Sequence, residues 1–358
     1  MKERLANRVR IAKRNAASFL STNMNRALGR SFVRDPRFRL FIEPVSFCNL
    51  ECKFCSYPKN LRKRTVMPDE MFARAIADAC AMGFRSIALT PITGDVFMDK
   101  KFIDRLRLVD QSGVDEHVFY TNFIGADVNA MRAIFALGKL RYMEISIYGH
   151  DAESFRAITG RDDVQYRRLL DNLSMLIDMM ALRPKNLELV VGIRTYRSFD
   201  LQSAPRNALL EKIDALAARG IPVGQSSTVD NWGGDVTQSD VAGIEMDLTD
   251  GSRLYKNGPC SLPFDSVQIT ATGEVNACAC RDPRGSLLIG DLNTAPLADI
   301  LSARNEKWMG IIEDHEKGQF NDVCRKCGFY QSIYDARRRA YGGMISKAEY
   351  MSRLDDGS

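Results

Sequence analysis

From residue 39 the chain alternates between two hydrophobic periods. Short runs dominated by apolar and β-branched residues fall at 40–47, 86–93, 117–122, 142–149, 187–195 and 223–227. Between them, apolar residues recur every three or four positions over 69–82, 100–111, 127–137, 164–180 and 207–219. The first pattern predicts strands and the second amphipathic helices. Strands alternating with helices of this length build βαβ units around a parallel sheet. Six strands are too few for a closed eight-strand barrel, so the α/β fold predicted is a partial (β/α)6 barrel. Its chemistry belongs beyond the carboxyl ends of the strands.

After residue 228 the alternation stops. The run Asp230-Asn-Trp-Gly-Gly-Asp235 reads as a loop. Residues 266–270 and 274–280, joined by an Ala-Thr-Gly turn, read as a β-hairpin. Three segments follow: an arm over 1–37, the barrel over 38–228, and a smaller domain with a C-terminal helix over 229–358. In the arm, Leu5, Val9, Ala12, Ala16 and Phe19 form a narrow apolar stripe among basic residues. Such a helix either packs its stripe on the body or touches anionic lipid or an acidic partner.

Composition changes this picture in two places. The 358 residues carry a net charge of +5, yet residues 1–39 alone hold +9, leaving the rest at −4. That excludes a nucleic-acid-binding body. No uninterrupted apolar stretch is long enough to span a bilayer. The nine cysteines are an odd number with no secretory signal before them. They point to a reducing, cytoplasmic setting in which thiolates bind metal.

The cysteines fall in two groups. Cys48, Cys52 and Cys55 lie on one loop after the first strand, spaced C-x3-C-x2-C. Three thiols on one loop hold three irons of a 4Fe–4S cluster and leave the fourth open; with a remote fourth ligand they would hold structural zinc. Cys260 and Cys278 come together at the open end of the hairpin, and Cys324 and Cys327 add a C-x2-C bite. Four thiols again suit either a cluster or zinc. Cys80 sits on an apolar helix face, where a free thiol fills core. Cys280, two residues after Cys278, is a spare ligand, a packed thiol or a hydrogen-atom donor.

The first group, with Phe54 just before its third cysteine, resembles the signature of the radical SAM superfamily, in which the open iron chelates S-adenosylmethionine (SAM). The resemblance runs through roughly 38–228. Thr93, Gly94 and Asp95 stand where the family has its Gly-Gly-Glu-Pro-type segment facing the methionyl amine. Tyr120-Thr121-Asn122 is similar to the family's Thr-Asn-Gly. Ser146, or failing it Glu144, matches the ribose contact, and Arg194 the SAM carboxylate contact. The second group is similar to SPASM auxiliary-cluster domains in their shorter "twitch" form, since the C-x5-C-x3-C continuation is absent. The resemblance implies a second 4Fe–4S cluster on Cys260, Cys278, Cys324 and Cys327.

Three functions are consistent with these residues. The first is hydrogen-atom abstraction from a small polyol, sugar or aminosugar, with the auxiliary cluster accepting the remaining electron. The family resemblance implies flavodoxin or ferredoxin as the donor, and His150 at the rim is either an ordinary loop residue or the base that takes a substrate proton. The second is the same radical chemistry in an epimerase using Cys280, or in a peptide-modifying maturase. The third is a zinc-stabilised binding protein without redox chemistry.

Overall fold

The computed structural model describes residues 2–59, 62–279 and 281–355, with backbone alone for 2–11, 13, 14 and 355. Cys280 lies outside the described residues. Six parallel strands, β1 (Arg39–Ile42), β2 (Ser86–Leu89), β3 (Glu116–Thr121), β4 (Leu140–Tyr148), β5 (Glu188–Arg194) and β6 (Val223–Ser226), pair in sequence order. Leu40, Ile42, Ile87, Leu89, Phe119, Ile145, Ile147, Val191 and Ile193 are wholly buried along them. Burying such side chains drives the sheet and helices together, at about 1.5–3 kcal/mol each.

The helices are α2 (Asp69–Ala81), α3 (Phe102–Gln111), α4 (Val128–Phe135), α5 (Ala152–Thr159), α6 (Asp163–Met179) and α7 (Ala208–Ala217). Asp127, Asp151, Asp162 and Asn207 accept backbone N–H groups at the starts of α4, α5, α6 and α7. These caps fix where the chain leaves the rim of the barrel. Helix α5 interrupts a span that the periodicity leaves unassigned. Strands β1 and β2 end well short of 47 and 93. Pro44 and Pro91, which lack the N–H that a ladder needs, follow them closely. The apolar run continues, but as loop: Val45 makes only an isolated bridge to Val66.

Beyond the barrel, β7 (Thr228–Asp230) pairs in parallel with β8 (Asp247–Thr249). A short helix, α8 (Leu262–Asp265), leads into the hairpin of β9 (Gln268–Ile269) and β10 (Glu274–Asn276), which β11 (Leu288–Asp291) extends. Gly273 takes φ +95° in the turn, a value open to glycine. The hairpin is not a separate sheet: β9 runs parallel to β1, with Ile42 opposite Ile269. A nine-stranded sheet results, in the order β11-β10-β9-β1-β2-β3-β4-β5-β6. Helices α9 (Leu297–Ile300), α10 (Glu306–Glu316), α11 (Asp322–Lys326) and α12 (Lys347–Asp355) complete this end, with Trp308 of α10 buried.

The N-terminal helix α1 (Lys2–Ala27) docks on this C-terminal region. Of the apolar stripe, Phe19 packs its ring against Tyr255 with centroids 5.1 Å apart while staying half exposed, Ala12 and Ala16 are exposed, and the side chains of Leu5 and Val9 lie outside the described residues. Polar contacts add to this docking. Asn15 exchanges hydrogen bonds with the backbone of Arg253 and Tyr255, Ser21 accepts from Ala336 N, and Asn25 donates to Tyr334 O. Small amides and hydroxyls satisfy backbone groups that these loops leave unpaired. Among the described residues no helix is long and apolar enough to cross a membrane.

Candidate active site and auxiliary thiol cavity

The loop after β1 is fastened before any metal is considered. Glu51 N and Lys53 N donate to Thr159 O and Ile158 O at the end of α5, each at 2.9 Å. Arg161 spans the same gap, donating to Asn49 O at 2.7 Å and pairing with Glu51 at 2.9 Å. The loop thus presents Cys48, Cys52 and Cys55 in one bend. Leu50 N and Tyr57 N lie 3.4 Å from the sulfurs of Cys48 and Cys55, donor contacts that favour thiolate. Burial opposes this: it raises all three thiols, Cys55 to about 11. Metal loading must therefore release their protons.

The strand ends bring the expected residues to this loop. Gly94 fits where a Cβ would stand 3.0 Å from Phe47 O, Val45 O and Pro91 Cβ, so the 91–95 turn packs directly on the cysteine loop. Both oxygens of Asp95 face protein donors: Phe97 N at 3.0 Å, Thr121 Oγ1 at 2.9 Å and Asn122 N at 2.6 Å. Asn122 in turn donates to Asn49 at 2.7 Å. The next residue, Phe123, is buried at φ +66°, a left-handed value that costs a bulky side chain energy. It stands where Thr-Asn-Gly would place glycine.

Glu144, Ser146 and Tyr148 alternate along one face of β4, opposite Gly192 and Arg194 of β5. Arg194 donates to Ser146 Oγ at 2.9 Å and lies 3.6 Å from Glu144. A Cβ on Gly192 would stand 3.1 Å from that carboxylate. The Arg194 charge favours the thiolates of Cys52 and Cys55. Phe54 packs against Tyr148 with ring centroids 5.4 Å apart. Phe54, Ser146 and Arg194 are thus assembled with the thiols on one side of the barrel mouth.

His150 belongs to a neighbouring cluster. Its Nδ1 is 2.7 Å from Thr195 Oγ1, its Nε2 is 3.6 Å from Asp151, and it stacks on Phe199 at 4.2 Å. Burial lowers its pKa.

The second site is assembled from distant pieces. Cys260, Cys278, Cys324 and Cys327 line one pocket. Leu262, Pro263, Leu287 and Val323 supply apolar wall. Three features without a sequence signal hold the ligand segments. Lys256 Nζ donates to the carbonyls of Cys324, Arg325 and Cys327 at 2.5, 2.6 and 3.1 Å, closing the end of α11. Gly251 lies so close that a Cβ would come within 2.0 Å of the Cys327 carbonyl. Asp282 ties the loop after Cys278, accepting from Ser286 N at 2.9 Å and Leu287 N at 2.7 Å. Burial raises the thiols of Cys260, Cys324 and Cys327 too, Cys327 to about 12. Phe329 N donates to Cys327 Sγ at 3.3 Å.

His315 also lines this cavity, although nothing in the sequence distinguishes it. Its ring is fully buried, and burial with a smaller contribution from Lys256 lowers its pKa to about 4, against the pull of Asp314. The imidazole is therefore neutral at pH 7.

The run 230–235 joins the two sites. Trp232, itself at φ +50°, donates from Nε1 to Phe54 O at 2.9 Å. Arg281 lies over Trp232 at 4.7 Å and Phe329 at 4.0 Å and pairs with Asp230 at 2.9 Å. Its charge acts on Cys55 and on Cys327 alike. Asp235 accepts from Ser56 and from Arg284, each at 2.6 Å.

The donor sets fit iron–sulfur groups. One loop offers three thiols and one cavity is lined by four. Residues 42–192 match the radical SAM superfamily, and residues 260–328 match the SPASM family, an iron-sulfur cluster-binding domain. Fold and site together define an iron–sulfur enzyme. The chain belongs to the radical SAM superfamily and carries a C-terminal SPASM domain. Members bind a 4Fe–4S cluster with SAM in the barrel, and the SPASM domain binds auxiliary iron–sulfur.

Solved structures share the fold at low identity. BtrN in complex with AdoMet and 2-DOIA superposes with a TM-score of 0.53 at 14% identity, over 84% of this chain and 97% of its own. Streptococcus suis SuiB bound to precursor peptide SuiA gives 0.55 at 12%, over 83% and 72%. Native anSMEcpe with bound AdoMet gives 0.51 at 13%, over 88% and 98%. No curated protein sequence matches the chain.

Proposed function

We propose that the protein is a radical SAM oxidoreductase that dehydrogenates a small polyol, sugar or aminosugar. One auxiliary 4Fe–4S cluster on Cys260, Cys278, Cys324 and Cys327 takes the second electron. The observation that carries this reading is the complete set of four thiols around one cavity, beside a loop that offers only three. A cluster with a thiolate on every iron has no open position for substrate and is left with electron transfer. When bound, the barrel cluster and SAM supply a 5′-deoxyadenosyl radical, which removes a hydrogen atom from the substrate.

The chain's own residues orient these partners. Ser146 and Arg194 hold the ribose and carboxylate of SAM, Phe54 walls its base, and Thr93 and Gly94 present backbone to its amine. Asp95, whose oxygens accept from Phe97 N, Thr121 Oγ1 and Asn122 N, positions that segment instead of contacting SAM. His150 takes a substrate proton only if the substrate hydroxyl displaces Asp151 from Nε2. Trp232, Arg281 and Phe329 fill the interval between the two thiol sets and exclude water from it. Flavodoxin or ferredoxin supplies the first electron.

BtrN, solved with 2-DOIA, aligns over nearly its whole length, which supports a small-molecule substrate. SuiB, solved with a precursor peptide, is the ground for the second reading, peptide modification. The test is anaerobic reconstitution followed by incubation with SAM, reductant and a panel of polyols, sugars and aminosugars. About eight irons per chain and a product two hydrogens poorer are expected. Zinc in place of iron would overturn the assignment. A product of unchanged oxidation level carrying solvent deuterium, lost in Cys280→Ala, would replace dehydrogenation by epimerisation.

A further inference from the structure

The auxiliary cavity contains one polar group that its thiols do not explain. His315 lies in the last turn of α10 with its side chain wholly buried, on the wall shared by Cys260, Cys278, Cys324 and Cys327. Its Nδ1 accepts the backbone N–H of Cys260 at 3.5 Å. An Nδ1 that accepts carries no proton, so the ring N–H is on Nε2. That Nε2 is buried and has no hydrogen-bond partner among the described residues. An unmet buried donor is destabilising.

The surroundings restrict what it can meet. Phe320 packs against the ring at 4.8 Å and is itself packed edge-on against Tyr330 at 5.6 Å. The Tyr330 hydroxyl is occupied by Asn257 O and Gly258 O, and Asp282 by its own loop. Lys256 is committed to the carbonyls around Cys324 and Cys327. The ring lines the same pocket as the four thiols.

We propose that His315 donates a hydrogen bond from Nε2 to the sulfur of the auxiliary cluster and thereby raises its reduction potential. The inference rests on the reading of this cavity as a cluster site. Each electron added to a thiolate-ligated cluster makes it more negative, and an N–H donor aimed at sulfur stabilises the reduced form more than the oxidised one. Phe329 N already supplies one such donor, to Cys327. His315 supplies a second, and its link to Cys260 N fixes which nitrogen points inward. A donor here favours a cluster whose task is to accept an electron.

The test uses full-length protein with Cys48→Ala, Cys52→Ala and Cys55→Ala, so that only the auxiliary cluster contributes to the spectrum. Pulsed EPR of the reduced protein, labelled with 15N-histidine, is expected to show one weak nitrogen coupling. Redox titration is expected to shift to lower potential in His315→Phe, with the coupling lost and iron content unchanged, and to recover partly in His315→Gln. An unchanged potential and spectrum in His315→Phe would reduce the residue to packing. A strong coupling, as for nitrogen bound directly to iron, would make it a ligand and overturn the proposal. If His315→Phe fails to fold, absence of the weak coupling from the labelled protein with His315 intact refutes it alone. Loss of all iron from the triple variant would refute instead the reading of the cavity on which the proposal depends.

Discussion

The two thiol sets reach the same kind of metal chemistry by opposite routes. Cys48, Cys52 and Cys55 sit within eight residues, and the loop that carries them is fastened to the end of α5 by two backbone bonds and Arg161. Cys260, Cys278, Cys324 and Cys327 come from a bridge beside Ser332, the exit of a hairpin and the end of α11. A local site is specified by its spacing. A dispersed site is specified by whatever holds its pieces in register, and here that is Lys256, Gly251 and Asp282.

Removing one thiol from each set separates them most sharply. Cys48→Ala is expected to abolish SAM cleavage and halve the iron, leaving about four irons per chain. Cys327→Ala should lose the same amount while 5′-deoxyadenosine still forms, uncoupled from substrate oxidation. Iron analysis with chromatographic assay of 5′-deoxyadenosine distinguishes the two, and loss of both clusters in either variant would mean the sites are not independent.

Gly251→Ala tests the dispersed site without touching a ligand. Its new methyl group must displace the backbone at Cys327, at a cost of about 3 kcal/mol. Auxiliary iron should disappear and the melting temperature fall, with SAM cleavage retained; unaltered auxiliary absorbance would show that the backbone yields. Lys256→Met removes a charged donor from three carbonyls, worth about 1.5–3 kcal/mol. Chelator challenge should strip the auxiliary cluster of this variant several-fold faster than that of the parent. The smallest effect is expected from Arg161→Ala, since its partner Glu51 is half exposed and such pairs contribute below about 1 kcal/mol. The two backbone bonds from α5 remain, and SAM cleavage should stay near the parent rate. A collapse there would show that the local site also depends on side-chain bracing.

The same division governs what could be read from the sequence. The six strands and five of the barrel helices were legible because each is a local pattern, a period of two or of 3.6; the cysteine spacings marked two candidate ligand sets, and the structure gathers Cys260, Cys278, Cys324 and Cys327 around one pocket. His315, Lys256 and Gly251 were not, because each matters through a contact that only the folded chain creates. Strand lengths were overread at β1 and β2, where apolar residues continue past a proline into loops that still need burial. Hydrophobic spacing marks a face but not all of its partners: of the arm's stripe Phe19 packs on Tyr255, while Asn15, Ser21 and Asn25 add polar contacts that no period reveals. The oxygens of Asp95 accept from Phe97 N, Thr121 and Asn122, contacts that only the folded chain creates.

The pairing of β9 with β1 has a consequence for synthesis. Strand β1 acquires its second neighbour only when residues 268–269 appear, more than 200 residues later. At about 5–20 residues per second, translation leaves that edge uncovered for roughly 10–40 s. During that interval its free N–H and C=O groups are a template for strands of other nascent chains. Crowded polysomes are therefore expected to raise the insoluble fraction, and slowing initiation, which spaces the ribosomes, is expected to protect soluble yield more than slowing elongation, which prolongs the exposure of each edge.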